Sequence, residues 1–377
     1  MKCPRCGEEG AVKNGGNRTI CRKCGKFGVV RPQDQEDPVL AAKGGWAPDQ
    51  QMVHPAAPGF QVKGTSTLYG PDGSVSAQWV KASQDSEQMA AALEAAVIAM
   101  ASGLPRIEPR KARGCWRTDL LVGYPIGDPH IGMSSWGVET GEDWDLQIAR
   151  RVHCEAMAAL VEAAPATETA LVVNLGDMLH YDSMEAKTPR SGHMLDADGR
   201  YAKVIDVAVA TMRQCIESAL AKHKFVHVVN VVGNHDETGA LWLARLIATV
   251  YEREPRVTVD VNPSVFNYYR FGKVLIGMHH GHTCKPEKLP GVMAADRAKE
   301  WGECLHRYWW QGHIHHESKK EFPGCSVESF NTLAAKDAYA NNGGWRSART
   351  MQAVVFHREH GEVARSRVNA AMFEAAA

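Results

Sequence analysis

Five short segments rich in Asp, Asn and His carry the side chains most able to do chemistry in this sequence of 377 residues. In chain order they are Gly127-Asp128-Pro129-His130, Gly176-Asp177, Gly233-Asn234-His235-Asp236, His279-His280-Gly281-His282 and Gly312-His313-Ile314-His315-His316. Carboxylate and amide oxygens together with imidazole nitrogens bind divalent transition metals, and such a mixed set does not select one of them. Any one segment alone would be weak evidence. All five in one chain predict a metal centre.

Four cysteines near the N-terminus form a second candidate metal site. They are spaced as two Cys-x-x-Cys pairs, Cys3 with Cys6 and Cys21 with Cys24, and fourteen residues separate the pairs. Two such pairs supply the four thiolates of a tetrahedral structural Zn²⁺. We therefore expect a zinc ribbon over residues 1–31. This segment has eight basic residues against two acidic ones, which favours contact with nucleic-acid phosphates. A docking module for another protein is the alternative.

The composition narrows the class of protein. There are 43 Lys and Arg residues against 43 Asp and Glu residues, so the chain lacks the overall positive charge typical of nucleic-acid binders. Hydrophobic residues make up 44% of the chain, as in a globular protein. No apolar run is long enough to cross a membrane, and the first residues do not form a secretion signal. Ten cysteines in such a chain indicate thiols and a reducing cytoplasm.

The elements that must position the five segments alternate between strands and helices from about residue 119. Candidate strands are Leu120–Tyr124, Leu171–Leu175, Val226–Val232, Val274–Met278 and Tyr308–Gln311. Candidate helices lie near Trp144–Ala164, Tyr201–Lys222 and Ala240–Glu252. This alternation predicts a layered α/β domain. Each candidate strand is followed by one of the five segments, and active sites of α/β sheets lie at the carboxyl ends of their strands.

The rest of the chain divides into shorter regions. Residues 32–59 contain many Pro, Gln and Asp residues and little periodicity, so they predict a linker. Residues 60–118 form an accessory region with a β-hairpin around Gly70-Pro71-Asp72-Gly73 and a helix near Ser86–Ala101. The α/β domain then occupies residues 119–377.

The ordered segments make residues 119–330 similar to the calcineurin-like metallophosphoesterase superfamily. The signature of that superfamily is Asp-x-His, Gly-Asp, Gly-Asn-His-Asp/Glu, a histidine-containing fourth motif and Gly-His-x-His. The resemblance implies a four-layer α/β/β/α sandwich with two metal ions at the edge of its sheets. Mn²⁺ is the expected metal, and Fe, Co, Ni or Zn²⁺ are also compatible with the ligands.

The resemblance also implies a role for each matching residue. One metal ion would be held by Asp128, His130 and His315, the other by Asn234, His280 and His313, and Asp177 would bridge the two. Among the three histidines of the fourth segment, His280 is preferred because it directly precedes a glycine.

The expected chemistry is the attack of water on phosphorus. The metal ions would lower the pKa of that water. His235 would act as the general acid for the leaving oxygen, and Asp236 would orient its imidazole. A structural role is the alternative for His235.

The substrate class is less sharply defined by the sequence. The arginine motif of the protein phosphatases in this superfamily is absent after Asp177, which disfavours phosphoprotein substrates. His180 completes an Asp-x-x-His arrangement that is similar to Mre11/SbcD-like nucleases, where this histidine positions the phosphodiester. A hydrogen-bonding role behind the metal ligands is the alternative for His180.

The combination of zinc ribbon, hairpin and phosphoesterase resembles phage-encoded proteins described as DNA-repair exonucleases. We therefore expect a DNA nuclease with DNA as its partner, in the host cytoplasm if the chain is phage-encoded. One alternative is a phosphoesterase acting on nucleotides or other small molecules, which a pocket narrowed by Trp136, Trp242 or Tyr181 would favour. The other is an inactive DNA-binding protein.

Overall fold

The computed structural model describes residues 12–13, 19–20, 60–69, 75–84, 95–109, 114–189 and 191–373. The chain divides into two units, Met1–Ala95 and Ala96–Ala377. The four cysteines of the predicted zinc ribbon and the predicted linker 32–59 lie outside the described residues. Both therefore stay predictions.

The described residues of the first unit form two antiparallel strand pairs. Strands β1 (Val12–Lys13) and β2 (Thr19–Ile20) pair between the two predicted cysteine pairs. Strands β3 (Phe60–Tyr69) and β4 (Val75–Gln84) form the predicted hairpin, in which Thr67 faces Gln78 across the ladder. The Gln78 side chain donates to the Thr67 hydroxyl over 3.1 Å. Of the predicted helix near Ser86–Ala101, the described part is helical over 95–102.

Within the described residues, the second unit contains the helical segment 96–102, followed by eleven strands and seven further α-helices. The strands are β5 (Arg117–Ile126), β6 (Thr167–Asn174), β7 (Phe225–Asn230), β8 (Val257–Asp260), β9 (Asn267–Phe271), β10 (Val274–Met278), β11 (His306–Gln311), β12 (Ser318–Phe322), β13 (Cys325–Ser329), β14 (Thr350–His357) and β15 (Gly361–Asn369). The helices are α1 (Gly137–Thr140), α2 (Leu146–Ala163), α3 (Tyr201–Lys222), α4 (Glu237–Val250), α5 (Leu289–Asp296), α6 (Ala298–Glu303) and α7 (Ala338–Asn342).

The strands form two sheets. The six-stranded sheet has the order β15-β14-β5-β6-β7-β8, in which β5 to β8 are parallel and β14 and β15 are antiparallel. The five-stranded sheet has the order β12-β13-β11-β10-β9, with three parallel strands in the middle and an antiparallel strand at each edge. The central parallel strands end in the same direction, so the loops after them meet at one edge of each sheet.

The main core lies between the two sheets. Leu171 and Val173 of β6 face Ile276 of β10 and Trp310 of β11 in one buried cluster. Gly123 makes room for this packing, because a Cβ at that position would lie 2.3 Å from the Trp310 ring. Val172, which lies between Leu171 and Val173 in β6, is buried as well. This is expected for a parallel strand that is covered on both faces.

Helices cover the outer face of each sheet. Helices α2, α3 and α4 pack on the six-stranded sheet. Asp145 caps the N-terminus of helix α2. Its carboxylate accepts the free backbone amides of Gln147 and Ile148 over 2.8 and 2.7 Å. On the other sheet, Leu289 and Met293 of α5 form a second buried cluster with residues of β10 and β11. The predicted four-layer α/β/β/α sandwich is therefore confirmed. None of the described helices combines the length and apolar character needed to cross a bilayer.

A buried histidine in this sandwich predicts sensitivity to acid. Burial lowers the pKa of His223 to about 4, and its ring lies 2.8 Å from the Tyr124 hydroxyl and 2.7 Å from the Thr167 hydroxyl. Because the unfolded chain keeps the ordinary pKa of about 6.5, it takes up this proton first. The stability that depends on neutral His223 is complete above pH 6.5 and is lost as the pH falls toward 4.

Between pH 7 and pH 4.5, the free energy of unfolding of the unchanged protein should fall by about 2 kcal/mol more than that of His223→Gln. Urea unfolding of both proteins at the two pH values measures this difference. The exposed His360 provides the matched control, since His360→Gln should leave the pH dependence unchanged. An identical pH dependence for His223→Gln and the unchanged protein would contradict the assignment.

Candidate metal centre

The five predicted segments lie directly after β5, β6 and β7 of one sheet and β10 and β11 of the other. Contacts across the two sheets bring these loops together. The Asp128 carboxylate accepts the backbone amide of His313 over 2.8 and 2.9 Å. The amide of Gly312, in turn, donates to the carbonyl of His280 over 3.0 Å. The predicted ligands are therefore neighbours in space although they span nearly 190 residues of the chain.

Three of these side chains form donor group A. Asp128, His130 and His315 each offer one ligand atom, and these atoms lie within 4.8 Å of one another. The Nε2 atoms of His130 and His315 are 3.0 Å apart, and Nε2 of His315 is 3.6 Å from Oδ1 of Asp128. These are the three residues predicted to share one metal ion.

Three more form donor group B, which contains Asp177, His280 and His313. Nε2 of His280 lies 3.1 Å from Oδ2 of Asp177 and 3.0 Å from Oδ1 of Asn234. The other ring nitrogen of His280 donates its proton to the Leu175 carbonyl over 2.8 Å. Such a bond fixes the ring so that Nε2 faces the other donors. Asp177 thus belongs to group B, and its predicted bridging role toward group A stays a prediction.

The donor atoms fit divalent ions in chemistry and in spacing. Two atoms bound about 2.1 Å from a common ion at tetrahedral or octahedral angles lie about 3.0–3.4 Å apart. The separations of 3.0 and 3.1 Å in groups A and B match this value. Imidazole, carboxylate and amide donors together suit Mn²⁺, iron, Co²⁺, Ni²⁺ and Zn²⁺.

The backbone at the candidate ligands is strained. Within the described part of the chain, every non-glycine residue with a positive φ is a predicted ligand: Asp128 at 43°, His130 at 44°, Asp177 at 53°, His313 at 70° and His315 at 53°. Residues other than glycine seldom adopt this conformation, which costs about 1–3 kcal/mol each and concentrates at functional sites. The strain therefore marks five of the seven ligands that the sequence motifs predicted, by an independent property; Asn234 and His280 do not show it.

Charges within the site act on both donor groups. Burial alone would raise the pKa of Asp177, but neighbouring His280 outweighs burial and holds this pKa well below its ordinary value. Burial conversely disfavours a charged His280, but Asp177 and Asp128 raise its pKa to about 10. A histidine must lose its proton to bind a metal ion. Metal binding at group B should therefore release a proton from His280.

The structure corrects one predicted role. Asp236 does not orient His235, because its carboxylate faces inward and accepts the backbone amides of Gly233, Asp177 and Leu179 over 3.1–3.2 Å. His235 is oriented instead by the His180 carbonyl, which accepts its Nδ1–H over 2.7 Å. Burial and the charge of Asp177 raise the pKa of Asp236 to about 8. Asp236 therefore ties the loops after β6 and β7 together.

The remaining histidines near the site have different positions. His279 stacks on Phe266 with 4.8 Å between ring centroids and contacts the Thr283 hydroxyl over 2.9 Å, and it belongs to neither donor group A nor donor group B. His282 lies beside His280, with 5.2 Å between ring centroids. His316 is exposed and contacts the carbonyl of Ile314. The preference for His280 at group B thus agrees with the geometry.

The aromatic residues considered for a narrowed pocket do not share one location. Tyr181 and Trp242 are buried, and the Tyr181 hydroxyl donates to the Gly199 carbonyl over 3.2 Å. Trp136 is 65% exposed. Two of the three rings therefore belong to the protein interior and do not wall an open pocket.

Sequence reasoning missed the backbone and hydroxyl contacts that support the ligands. The Thr332 hydroxyl donates to the carbonyl of Asp128 over 2.6 Å, and Leu175 supplies the carbonyl that orients His280. Neither residue belongs to a motif. A threonine after β13 and a leucine carbonyl at the end of β6 carry no signal in the sequence, because these contacts arise from tertiary placement alone.

The fold and the site together define a four-layer α/β/β/α protein with two adjacent donor groups at the carboxyl ends of its strands. No family model and no curated protein matches the sequence. Similar solved structures include a conserved Streptococcus pneumoniae protein described as a predicted phosphoesterase, with 11% identity, a TM-score of 0.28 and coverage of 67% of this chain and 99% of that one.

Two further structures show similar values. Vps29 from Entamoeba histolytica, solved with Zn²⁺, has 14% identity and a TM-score of 0.29, covering 66% of this chain and 99% of its own. The phosphopantetheinyl hydrolase of Mycobacterium tuberculosis has 10% identity and a TM-score of 0.26, covering 57% and 91%. The fold described above rests on the sheets and layers of this chain and not on these similarities.

Proposed function

We propose that this protein is a metal-dependent phosphoesterase. The observation that carries the proposal is the pair of adjacent donor groups, A and B, with the imidazole of His235 beside them. The ring of His235 lies 4.8 Å from that of His130, measured between centroids. Bound divalent ions would neutralise phosphate charge and lower the pKa of a water molecule. Asp128, His130 and His315 would hold one ion, and Asp177, Asn234, His280 and His313 the other.

The residues of this chain divide the remaining work by their exposure. Asp128, Asp177 and His280 are buried, whereas His235, His313 and His315 reach solvent in part. An ester would therefore approach from the side of these three histidines. Because Nδ1 of His235 donates to a carbonyl, Nε2 is the nitrogen left to give a proton to the leaving oxygen.

Within this class we propose phosphodiesters as substrates, with DNA first. The basic segment 1–31 supports DNA, since eight basic residues face two acidic ones there. The Asp-x-x-His pattern supports it less than the sequence suggested. His180 is only 2% exposed and contacts His130, so it does not present its ring to a polymer. Because a buried His180 gives no support for a polymer over a small ester, a phosphoesterase for nucleotides or other small molecules is the second candidate.

The two candidates separate in one experiment on the full chain loaded with Mn²⁺. End-labelled single-stranded and double-stranded DNA are compared with mononucleotide esters and with a generic aryl phosphodiester. A nuclease degrades DNA with a kcat/KM well above that for the small esters. Cleavage of the small esters alone would leave the nucleotide candidate. If none of these substrates reacts with Mn²⁺ or with Fe, Co, Ni or Zn²⁺, the phosphoesterase proposal fails.

A further inference from the structure

We infer that His180 is a positioning residue that sets the protons of two neighbours at once, the metal-ligand candidate His130 and the acid candidate His235. This inference rests on the proposed metal centre. It assigns His180 a role behind the donors and not against the substrate.

The contacts of His180 run in two directions. Its Nδ1 lies 3.2 Å from Nδ1 of His130, and the two rings stand nearly perpendicular at 83°. Its backbone carbonyl accepts the Nδ1–H of His235 over 2.7 Å, and the rings of His180 and His235 stack with centroids 5.5 Å apart. The side chain therefore contacts donor group A, while the main chain holds the general-acid candidate.

Counting protons fixes the direction of the bond between His180 and His130. A neutral imidazole carries one proton, and a metal ligand must offer a lone pair. Nε2 of His130 faces His315 at 3.0 Å within group A, so Nε2 is the ligand nitrogen. The proton of His130 is then on Nδ1 and is donated to Nδ1 of His180, which accepts it.

The position of the proton on the His235 ring follows from its contact with His180. A carbonyl oxygen only accepts, so the contact with His180 places a proton on Nδ1 of His235. Nε2 of His235 is then the nitrogen left for the proposed role toward the leaving oxygen. His180 thus fixes which nitrogen of His130 can bind a metal ion and which nitrogen of His235 can give a proton. Hydrogen-bond partners of metal-binding histidines commonly fix the tautomer of the ligand in this way.

A competing arrangement is visible in the same atoms. His130, His180 and His235 also offer ligand atoms within 4.8 Å of one another. If these three shared an ion, His180 would itself be a ligand and His130 would use its single lone pair there and not in group A. Loss of a whole ion when His180 is replaced would therefore identify ligation, whereas a weakened site identifies positioning.

Two substitutions of His180 test the hydrogen bond. In His180→Asn the amide oxygen occupies the place of Nδ1 and still accepts from His130. In His180→Gln the side-chain amide lies further from the backbone, at the place of Nε2 of the histidine. The Nδ1–H of His130 therefore loses its acceptor. Full-length protein is stripped of metal and titrated with Mn²⁺ by calorimetry, and bound metal is counted by elemental analysis. The ion held by the predicted zinc ribbon is counted separately, as the metal lost when Cys3 and Cys6 are both replaced by Ser.

We expect His180→Gln to weaken one Mn²⁺ site by about 10–100-fold, the usual effect of removing a partner behind a ligand. His180→Asn should stay within a few-fold of the unchanged protein, and the site that contains His280 should not change in either variant. Thermal unfolding of the metal-free proteins confirms that all three are folded.

Three results would overturn the inference. They are equal affinity in all three proteins, equal weakening in both variants, and loss of a whole ion when His180 is replaced. Failure of the proposed function is distinguishable, because Mn²⁺ binding is measured without any ester. If the titrations follow the expectation but no phosphoester is hydrolysed, the role of His180 stands and the proposed activity does not.

Discussion

Replacing Asp177 by Asn is expected to reduce phosphodiester hydrolysis by about 10³-fold or more, because the charge that holds the metal ions is lost. The substitution is otherwise mild. Asparagine has almost the same shape and tolerates the positive φ of 53° at this position. Its amide can still accept the His235 backbone N–H, which donates to Asp177 over 2.8 Å. The loss would therefore report charge and not misfolding.

Metal content and rate are measured together for this variant. Elemental analysis should find less metal at the centre, and the hydrolysis of a generic phosphodiester should fall in parallel. The matched control is Asp206→Asn on the exposed face of α3, which removes the same charge outside the five motifs. Unchanged hydrolysis in Asp177→Asn would remove Asp177 from the proposed centre.

Replacing His235 by Asn is expected to slow esters with poor leaving groups by about 10²–10⁴-fold, the usual contribution of a general acid. An activated aryl ester needs little help from a proton donor, so its rate should fall much less. This difference identifies acid catalysis, since a merely structural role would slow both esters equally. His235 belongs to neither donor group A nor donor group B, so metal content should stay constant.

The control for this variant is the exposed His360, in the turn between β14 and β15. His360→Asn should leave both esters unaffected. An equal loss on both esters for His235→Asn, or a fall in its metal content, would contradict the assignment of the proton donor.

The five strands that precede the motifs could be predicted because each one combines an apolar run with a motif at its end, whereas β13 in the middle of the five-stranded sheet has no motif after it and was not predicted. Val274–Met278 and Tyr201–Lys222 have the predicted bounds as strand and helix. The other central elements differ from prediction by a few residues at their ends, where capping and fraying decide. Periodicity and spacing are local properties, and they are enough for elements of this kind.

The edge strands and the tail could not be predicted in the same way. Strand β12 is exposed along most of its length and reads Ser-Lys-Lys-Glu-Phe, so it has no apolar run. Strand β14 returns from the far end of the chain to pair with β5. Such non-local pairing depends on the assembled sheet and not on the segment itself.

The roles of single polar residues also divide into those that local sequence predicts and those that tertiary placement decides. The motif Gly-Asn-His-Asp suggested that Asp236 serves its neighbour His235, but its carboxylate accepts amides from both the β6 and β7 loops. Adjacency along the chain indicates little about direction, because neighbouring side chains at a loop point to different sides. The donor set itself was predictable, since residue type and order alone define it.

The positions of the donors around the core also have a mechanical consequence. Each donor group draws on both sheets, because Asp128 and Asp177 follow strands of the six-stranded sheet while His280, His313 and His315 follow strands of the five-stranded one. An ion in either group would cross-link the two halves of the sandwich at one rim. Ions that bind only the folded chain raise its resistance to unfolding by mass action. The same ions would therefore stabilise the fold as well as take part in hydrolysis. A chelator would weaken the contact between the two sheets at the rim where the ester approaches.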